Sequence, residues 1–400
     1  MARMHVFFSV GEPSGDQHAA HLMQDLRRKV PGIRFSGFGG PRMTAVGFEK
    51  LFHLTDLAVM GVFAVLPLIW KFYRLYREAR AFLREQRPDL VVLVDFSGFN
   101  WWIAHAAKAN GIRVVYYCPP QIWAWGWWRT RKMRRLVDHV LSVLPFEAEW
   151  YRQRRVSVEY VGHPFFDAAA QHPLDDRFCA DIRESAPRVV GVLPGSRGKE
   201  VTGNFPQMLE VIRRIHVKHP HVRFPVACYK ESQLEYCRSL LAGDYAHLPV
   251  DLHLGRTPEI IASVDCCLMV SGSVSLEVLF RGKPAIVTYR IGTWTRRCKP
   301  YFITVNYFSL PNLMAGREVM PEFLLERGAE SAIEEITRRL DTWLAERETL
   351  DAARREMEDL RAKNASLGGL ERAADALVAQ LELVRTLKSV PAQSPSRAAA

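Results

Sequence analysis

Short apolar runs alternate with longer helix-like segments along most of the chain. The runs are nearly continuous in apolar residues instead of alternating with polar ones, which is typical of strands covered by helices on both faces. The candidate strands are residues 5–10, 90–95, 114–118, 139–144, 158–161, 189–193, 224–228, 264–270 and 285–289. Strand–helix repetition of this kind predicts an α/β protein with parallel sheets.

The alternation restarts after a polar, proline-bearing stretch between Gly162 and Pro187, which we interpret as the linker between two α/β domains. We therefore expect an N-terminal domain over residues 1–165 and a second domain over 166–343. Residues 344–388 are rich in helix formers, and residues 389–400 are rich in Pro, Ser and Ala. The last segment is expected to be disordered.

Composition narrows the class of protein and its partners. The 400 residues carry a net charge of +11, which favours phosphates, nucleic acid or an anionic membrane surface. Seven scattered cysteines without a CxxC pair argue against disulfides and structural zinc, and they fit a reducing cytoplasm. The first 16 residues lack the pattern of a signal peptide. The longest uncharged apolar stretch, residues 57–70, is too short to span a bilayer, although it could lie on a membrane or form a buried helix.

Two loops of the first half follow candidate strands, where open α/β sheets bind ligands. Residues 11–16 form a small-residue loop whose helix start could face an anion, although Ser14 or Asp16 could simply cap that helix. Asp95 ends the strand of residues 90–95, where it is placed as a general base or as an ordinary N-cap. Residues 11–16 do not match the GxGxxG fingerprint of dinucleotide-binding proteins, so we do not expect a dinucleotide here.

Two further loops follow strands of the second half. In residues 193–200, glycines allow close approach and Arg197 can grip a diphosphate with two bonds, but the Gly-Lys-Ser/Thr of an ATPase P-loop is absent. In residues 271–277, free N–H groups at a helix start suit a diphosphate, and Glu277 suits ribose hydroxyls. A Gly-rich turn and a serine N-cap are the ordinary alternatives. No D-x-D triplet is present, so we expect neither a metal nor another cofactor.

Four tryptophans lie within residues 123–128 and are followed by five cations within 129–135. This pattern suits a membrane interface, a phosphate-bearing ligand, or a core-lining loop before a solvated helix. A nucleic-acid groove is a further alternative, but no recognised nucleic-acid module is present, so we expect no such partner.

The ordered set of motifs resembles the lipid-A-disaccharide synthase family. The matching motifs are Gly-Glu-Pro-Ser-Gly-Asp at 11–16, Gly-Pro-Arg-Met at 40–43, Ala-Val-Met-Gly at 58–61, Pro-Pro-Gln-Ile-Trp-Ala-Trp at 119–125, Leu-Pro-Phe-Glu at 144–147, Gly-His-Pro at 162–164, Leu-Pro-Gly-Ser-Arg-Gly-Lys-Glu at 193–200, Ser-Gly-Ser-Val-Ser-Leu-Glu at 271–277 and Pro-Asn-Leu-Met-Ala-Gly-Arg-Glu at 311–318. The resemblance implies a GT-B fold, with two Rossmann-like domains facing a cleft. It also implies that the C-terminal helices of residues 344–388 pack back on the N-terminal domain, in one form between swapped subunits of a homodimer.

The implied reaction joins UDP-2,3-diacylglucosamine to 2,3-diacylglucosamine 1-phosphate with inversion and without a metal, and it releases UDP. The implied location is the cytoplasmic face of the inner membrane, as a peripheral protein. By the resemblance, Asp95 is the candidate base and Arg197 the candidate catalytic arginine. We expect substrate contacts from Glu12, Ser14, Asp16, Ser196, Ser271, Gly272, Ser273, Ser275, Glu277, Asn312 and Arg317.

One position departs from the family, because Gly98 replaces a second acid in the motif that begins at Asp95. Asp95 is then the only candidate base of that motif. Two other functions remain open: another UDP-sugar enzyme of the same fold, such as a UDP-GlcNAc 2-epimerase, and a basic RNA- or membrane-binding protein.

Overall fold

A computed structural model describes residues 4–57, 68–290, 305–325 and 330–389. The chain divides into two compact units. The first unit combines residues 1–164 with 368–400, and the second contains residues 165–367.

The first unit is a seven-stranded parallel sheet in the order β3-β2-β1-β4-β5-β6-β7. Its strands are β1 (His5–Val10), β2 (Arg34–Gly39), β3 (Glu49–His53), β4 (Leu90–Val94), β5 (Arg113–Tyr117), β6 (His139–Ser142) and β7 (Val158–Tyr160). Its helices before the second unit are α1 (Pro13–Lys29), α2 (Pro41–Ala45), α3 (Ile69–Gln86), α4 (Ser97–Ala109), α5 (Thr130–Leu136) and α6 (Pro145–Gln153). Every residue of β1 and β4 is buried, which explains their continuous apolar sequence.

The second unit is a six-stranded parallel sheet in the order β10-β9-β8-β11-β12-β13. Its strands are β8 (Arg188–Leu193), β9 (Val222–Cys228), β10 (Val250–Leu254), β11 (Cys266–Val270), β12 (Ala285–Arg290) and β13 (Glu322–Leu325). Its helices are α7 (Pro164–Gln171), α8 (Asp176–Glu184), α9 (Gly198–Lys218), α10 (Glu231–Leu241), α11 (Thr257–Ser263), α12 (Val274–Phe280), α13 (Leu310–Ala315), α14 (Glu330–Ala345) and α15 (Arg347–Asn364). Two parallel sheets with helical layers confirm the predicted fold class.

The C-terminal helices belong to different units. Helix α15 packs against α12, α13 and α14 in the second unit. Helix α16 (Gly369–Ser389) packs on α1, where Lys29 Nζ lies 2.6 Å from Asp375, and Arg372 Nε donates to the Val161 carbonyl at 2.8 Å. The expectation that all of residues 344–388 packs back on the first domain therefore needs correction: only the second of its two helices does. The exchange between subunits stays a prediction.

The strand order reverses at one place in each sheet, which we call the switch point. This place determines where the candidate site lies. In the first unit the reversal lies between β1 and β4, and in the second it lies between β8 and β11. The crevice outside the carboxyl ends of such strands is where open α/β sheets bind ligands. The loops after β1 and β4 therefore share one edge, as do the loops after β8 and β11.

Candidate active site

Asp95 is the first residue after β4, and it adopts an unusual backbone conformation. Its φ is +47° and that of Phe96 is +39°, a left-handed region that is unfavourable for residues with a side chain. Two side chains hold the Asp95 carbonyl: Asn100 Nδ2 donates to it at 2.9 Å and Tyr116 Oη at 2.6 Å. Such strain persists only where the surroundings fix it, and it concentrates at functional sites.

Glycines let the loop after β1 lie directly against this turn. A Cβ added at Gly15 would lie 3.2 Å from Asp95 Oδ2, and one added at Gly11 would lie 2.3 Å from the Phe96 ring. A Cβ added at Gly98, in contrast, would have no heavy atom within 4 Å. Packing around the Cβ position therefore does not require a glycine at position 98.

The Asp95 carboxyl lies among protein atoms while its side chain stays partly accessible. Burial, with a smaller contribution from the negative charge of Glu12, raises the pKa of Asp95 to about 7. A carboxyl with a pKa near neutrality is a stronger base than an ordinary aspartate, and about half of it is ionised at neutral pH. The geometry and the pKa of Asp95 are therefore compatible with the predicted general base.

The other predicted residues of the first loop differ in their surroundings. Glu12 is half-buried before α1, and Ser14 is exposed in its first turn. Asp16 is buried, and its two carboxylate oxygens accept the N–H groups of Gly40 at 3.0 Å, Arg42 at 3.0 Å and Met43 at 3.1 Å. Asp16 thus fixes the loop before α2, and its expected substrate contact stays a prediction.

Glu147 is another buried carboxyl, and it was not among the predicted site residues. It accepts hydrogen bonds from Trp123 Nε1 at 2.9 Å and Ser142 Oγ at 2.7 Å. Burial raises the pKa of Glu147 to about 7, and the charge of Asp95 contributes in the same direction. Glu147 anchors the tryptophan-bearing loop through Trp123. Its position in the Leu-Pro-Phe-Glu motif was the one sequence feature that could have identified it.

In the second unit, Arg197 precedes α9 and is largely exposed. Its guanidinium Nη1 donates to Glu200 Oε1 at 3.0 Å. The other oxygen of Glu200, Oε2, accepts the N–H groups of Ser196 and Arg197, each at 3.1 Å. The N–H groups of Ser196 and Arg197 are therefore both bonded to Glu200.

The loop after β11 combines used and accessible groups. Ser271 Oγ donates to the Phe308 carbonyl at 3.0 Å, and Ser275 Oγ to the Gly272 carbonyl at 2.7 Å. Gly272 and Ser273 are exposed, and a Cβ added at Gly272 would have no heavy atom within 4 Å. Among the residues of this loop that were predicted to contact the UDP-sugar, Gly272 and Ser273 are thus the ones whose backbone is accessible to a ligand.

Glu277 is buried one turn into α12 and lies beside Arg281, whose Nη2 donates to Glu277 Oε1 at 3.3 Å. Burial raises the pKa of Glu277, and Arg281 opposes that shift. The second carboxylate oxygen of Glu277, Oε2, takes no part in this ion pair. Glu277 lies on α12, the helix that follows β11 at the switch point.

Asn312 and Arg317 occupy different environments. Asn312 is fully buried; its Nδ2 donates to the Met320 carbonyl and to Glu322 Oε1, both at 2.7 Å. Its Oδ1 accepts the N–H groups of Val319 and Met320, both at 2.8 Å. The side-chain amide is saturated by protein and holds α13 to β13, and the expected substrate contact of Asn312 stays a prediction. Arg317 is exposed and pairs with Glu356 at 3.0 Å.

The register of the sheet brings the second unit's two loops together. Leu193, at the end of β8, pairs with Met269 near the end of β11. Arg197 and residues 271–277 consequently follow neighbouring strands at the same edge. Within the described ranges, no group of three or more His, Cys, Asp or Glu side chains is arranged to hold a metal ion.

The family comparison agrees with the motif resemblance. The model of the Lipid-A-disaccharide synthetase family matches residues 6–372. The lipid-A-disaccharide synthase of Azotobacter vinelandii is 38% identical over 338 residues, which are 83% of this chain and 88% of that protein. That of Alcanivorax borkumensis is 35% identical over 375 residues, which are 93% of this chain and 96% of that protein.

Solved structures of low sequence identity share the fold. The UDP-GlcNAc 2-epimerase of Neisseria meningitidis, solved with UDP-GlcNAc bound, has a TM-score of 0.59 at 13% identity and covers 96% of this chain and 100% of its own. MurG of Acinetobacter baumannii has a TM-score of 0.57 at 14% identity, with 94% and 100% covered. These likenesses support the GT-B fold. With the family match over nearly its whole length, the chain belongs to the lipid-A-disaccharide synthase family of glycosyltransferases.

Proposed function

We propose that this chain transfers the 2,3-diacylglucosamine unit of UDP-2,3-diacylglucosamine to the 6-hydroxyl of 2,3-diacylglucosamine 1-phosphate. The product is a β-1,6-linked disaccharide 1-phosphate, a lipid A precursor, and UDP leaves. The family match over residues 6–372 carries the assignment of the reaction, and Asp95, which follows β4 at the switch point of the first sheet and has its pKa raised to about 7, is the candidate base.

The reaction needs one proton acceptor and one set of positive groups. Asp95 removes the acceptor hydroxyl proton as the new C1–O6 bond forms on the face opposite the departing diphosphate, so the anomeric carbon inverts. The electron pair of the broken bond goes to the β-phosphate of UDP. In this proposal Arg197 and the backbone around Gly272 and Ser273, which follow neighbouring strands, stabilise that charge, a contribution that is usually among the largest in catalysis. In this proposal Glu277 accepts hydrogen bonds from the ribose.

Incubation with both acylated sugars tests the function directly. We expect equimolar UDP and disaccharide 1-phosphate by mass spectrometry, with neither product when one sugar is omitted. Incubation with UDP-GlcNAc alone distinguishes the epimerase of the same fold, and we expect no epimerised sugar. Epimerisation, or UDP release without any disaccharide, would contradict the proposal.

We also propose that the enzyme works as a peripheral protein on the cytoplasmic face of the inner membrane. Trp127 is 59% exposed and Trp128 is 49% exposed, and they directly precede the five cations of residues 129–135. Exposed indoles beside cationic side chains are typical of protein surfaces that bind a membrane at the level of the lipid headgroups. Trp70, at the start of α3, is also largely exposed, whereas residues 58–67 of the other candidate docking segment lie outside the described residues. Within the described part of the chain, no helix is long and apolar enough to cross a bilayer.

Replacing Trp127 and Trp128 together by serine is expected to weaken partition to vesicles of phosphatidylglycerol and phosphatidylcholine by about tenfold or more, because two indoles lose their burial in the interface. Sedimentation with vesicles measures it. The matched control is Val217→Ser, which removes a 77% exposed apolar side chain from α9 of the second unit and is expected to change nothing. Equal partition of wild type and the double variant would remove this pair from the docking surface.

A further inference from the structure

Glu200, the third residue of α9, places its carboxylate over the loop after β8, in the position expected for a bound anion. Glu200 Oε2 accepts two consecutive backbone N–H groups, those of Ser196 and Arg197, while Oε1 pairs with the Arg197 guanidinium. Consecutive amides that converge on one oxygen, beside an arginine, form the kind of nest that binds phosphate. In this chain the two amides bind the carboxylate of Glu200, a side chain of the same protein.

The turn is shaped around Glu200. Gly195 has a φ of +118°, and a Cβ added there would lie 2.7 Å from Glu200 Cβ. The Glu200 side chain therefore lies directly over the glycine, and any other residue at position 195 would displace it. The close packing and three hydrogen bonds fix the carboxylate within reach of one guanidinium nitrogen.

The backbone of the loop has a second, independent support. Gln233, at the start of α10, donates through Nε2 to the Ser196 carbonyl at 2.8 Å, and its Oε1 accepts the Tyr229 N–H at 2.9 Å. Gln233 is buried and does not depend on Glu200 for these contacts. The ion pair between Glu200 and Arg197 is therefore not the sole constraint on the loop, and its more specific effect is on the orientation of an otherwise exposed arginine.

We propose that Glu200 is a positioning residue for Arg197: it occupies the two loop amides itself and holds the guanidinium for the diphosphate of the donor. The inference rests on the proposed function, in which Arg197 faces the departing phosphate. It deepens that proposal because it assigns the recognition of phosphate to the remaining N–H groups of Arg197, and not to the amides of Ser196 and Arg197. Arginine offers five donors in a rigid fork, so one pair with Glu200 leaves the others for a ligand.

Glu200→Gln separates the two contacts of this side chain. The glutamine oxygen can still accept both loop N–H groups, but its NH₂ group cannot pair with a guanidinium. We expect kcat to fall about 10- to 100-fold, since misplacement of a charged group affects the transition state most. The donor KM is expected to stay within about twofold, and Tm to change little because exposed ion pairs contribute little to stability.

A double-mutant cycle tests the dependence on Arg197. Arg197→Ala with Glu200→Gln is expected to be no slower than Arg197→Ala alone, because the second change removes a group whose partner is already gone. Glu335→Gln is the matched control: it breaks a pair of the same i,i+3 spacing with Arg338, whose Nε lies 2.7 Å from Glu335, on α14. It is expected to leave kcat and Tm unchanged.

Three outcomes distinguish a failure of the positioning role of Glu200 from a failure of the proposed role of Arg197. A normal kcat in Glu200→Gln, with a slow Arg197→Ala, overturns the positioning role and leaves the proposed function intact. Losses that multiply in the double variant overturn it too, because they show that Glu200 acts independently of Arg197. A normal kcat in Arg197→Ala shows instead that the proposed role of Arg197 has failed.

Discussion

Replacing Asp95 by asparagine is expected to lower kcat by about 10²- to 10⁴-fold, the usual contribution of a general base. Asparagine is close in shape to aspartate and leaves the backbone contacts of Asn100 and Tyr116 in place, but it cannot take a proton. Disaccharide formation from both acylated sugars at saturating concentrations measures the loss. Donor affinity, measured by UDP binding, is expected to remain, since UDP contacts are assigned to the second unit.

The pH dependence of kcat/KM provides an independent check on Asp95. Its pKa is raised to about 7, and the base works only when ionised, so activity should fall as pH decreases below 7, by roughly tenfold per pH unit once well below it. Glu12→Gln removes the negative charge that contributes to the shift and should move this limb to lower pH. Both the limb and its shift are expected to be absent in Asp95→Asn.

Stability separates lost chemistry from lost folding. The folded pKa of Asp95 lies above its ordinary value, so the folded state binds more protons, and the stability due to this group is full below pH 4 and is lost as pH rises through about 7. Above pH 7 the ionised carboxyl is unfavourable, so Asp95→Asn should unfold at the same or a higher temperature than wild type. An active Asp95→Asn enzyme, or one with a greatly lowered Tm, would argue against the proposed role.

Replacing Arg197 by alanine is expected to lower kcat by about 10²- to 10³-fold, comparable to the loss of one preorganised donor to a developing oxyanion. The side chain is largely exposed and makes one ion pair with Glu200, so its removal should change Tm little. Initial rates at saturating donor and acceptor measure the effect.

Two controls accompany Arg197→Ala. Arg197→Lys keeps the charge but loses the bidentate fork, and it should restore only part of the rate. Arg213→Ala removes another exposed arginine from α9, paired with Glu210 at 2.7 Å, and should leave the rate unchanged. Equal losses in Arg197→Ala and Arg213→Ala would indicate a general effect of positive charge on an anionic substrate.

The sequence predicted the central strands well because burial on both faces forces a continuous apolar run, as in β1 and β4. Four strands were missed. Strands β3, β10 and β13 lie at sheet edges and are only partly buried, and none of them contains a continuous apolar run longer than three residues. Strand β2 is buried but contains small residues, because Gly37 approaches β1 so closely that an added Cβ would lie 2.2 Å from the Phe8 carbonyl.

Candidate site residues were predictable in position but not in their contacts. Asp95 and Arg197 follow strands at the switch points, which the order of apolar runs already suggested. Asp16 and Asn312 were expected at substrate, yet their polar atoms bind the backbone of residues 40–43 and 319–320. Short polar side chains cap turns as readily as they bind ligands, and only the folded chain shows which partner is near.

Helix α16 makes the first unit discontinuous in sequence, since residues 1–164 are joined by the segment from 368 onward. During synthesis on the ribosome, the second unit can therefore finish folding while the first still lacks one of its helices. Until that helix emerges, the surface of α1 that it covers is open to chaperones and proteases. Premature termination shortly before residue 368 would thus harm the domain made first, although every residue of that domain's sheet would already be present.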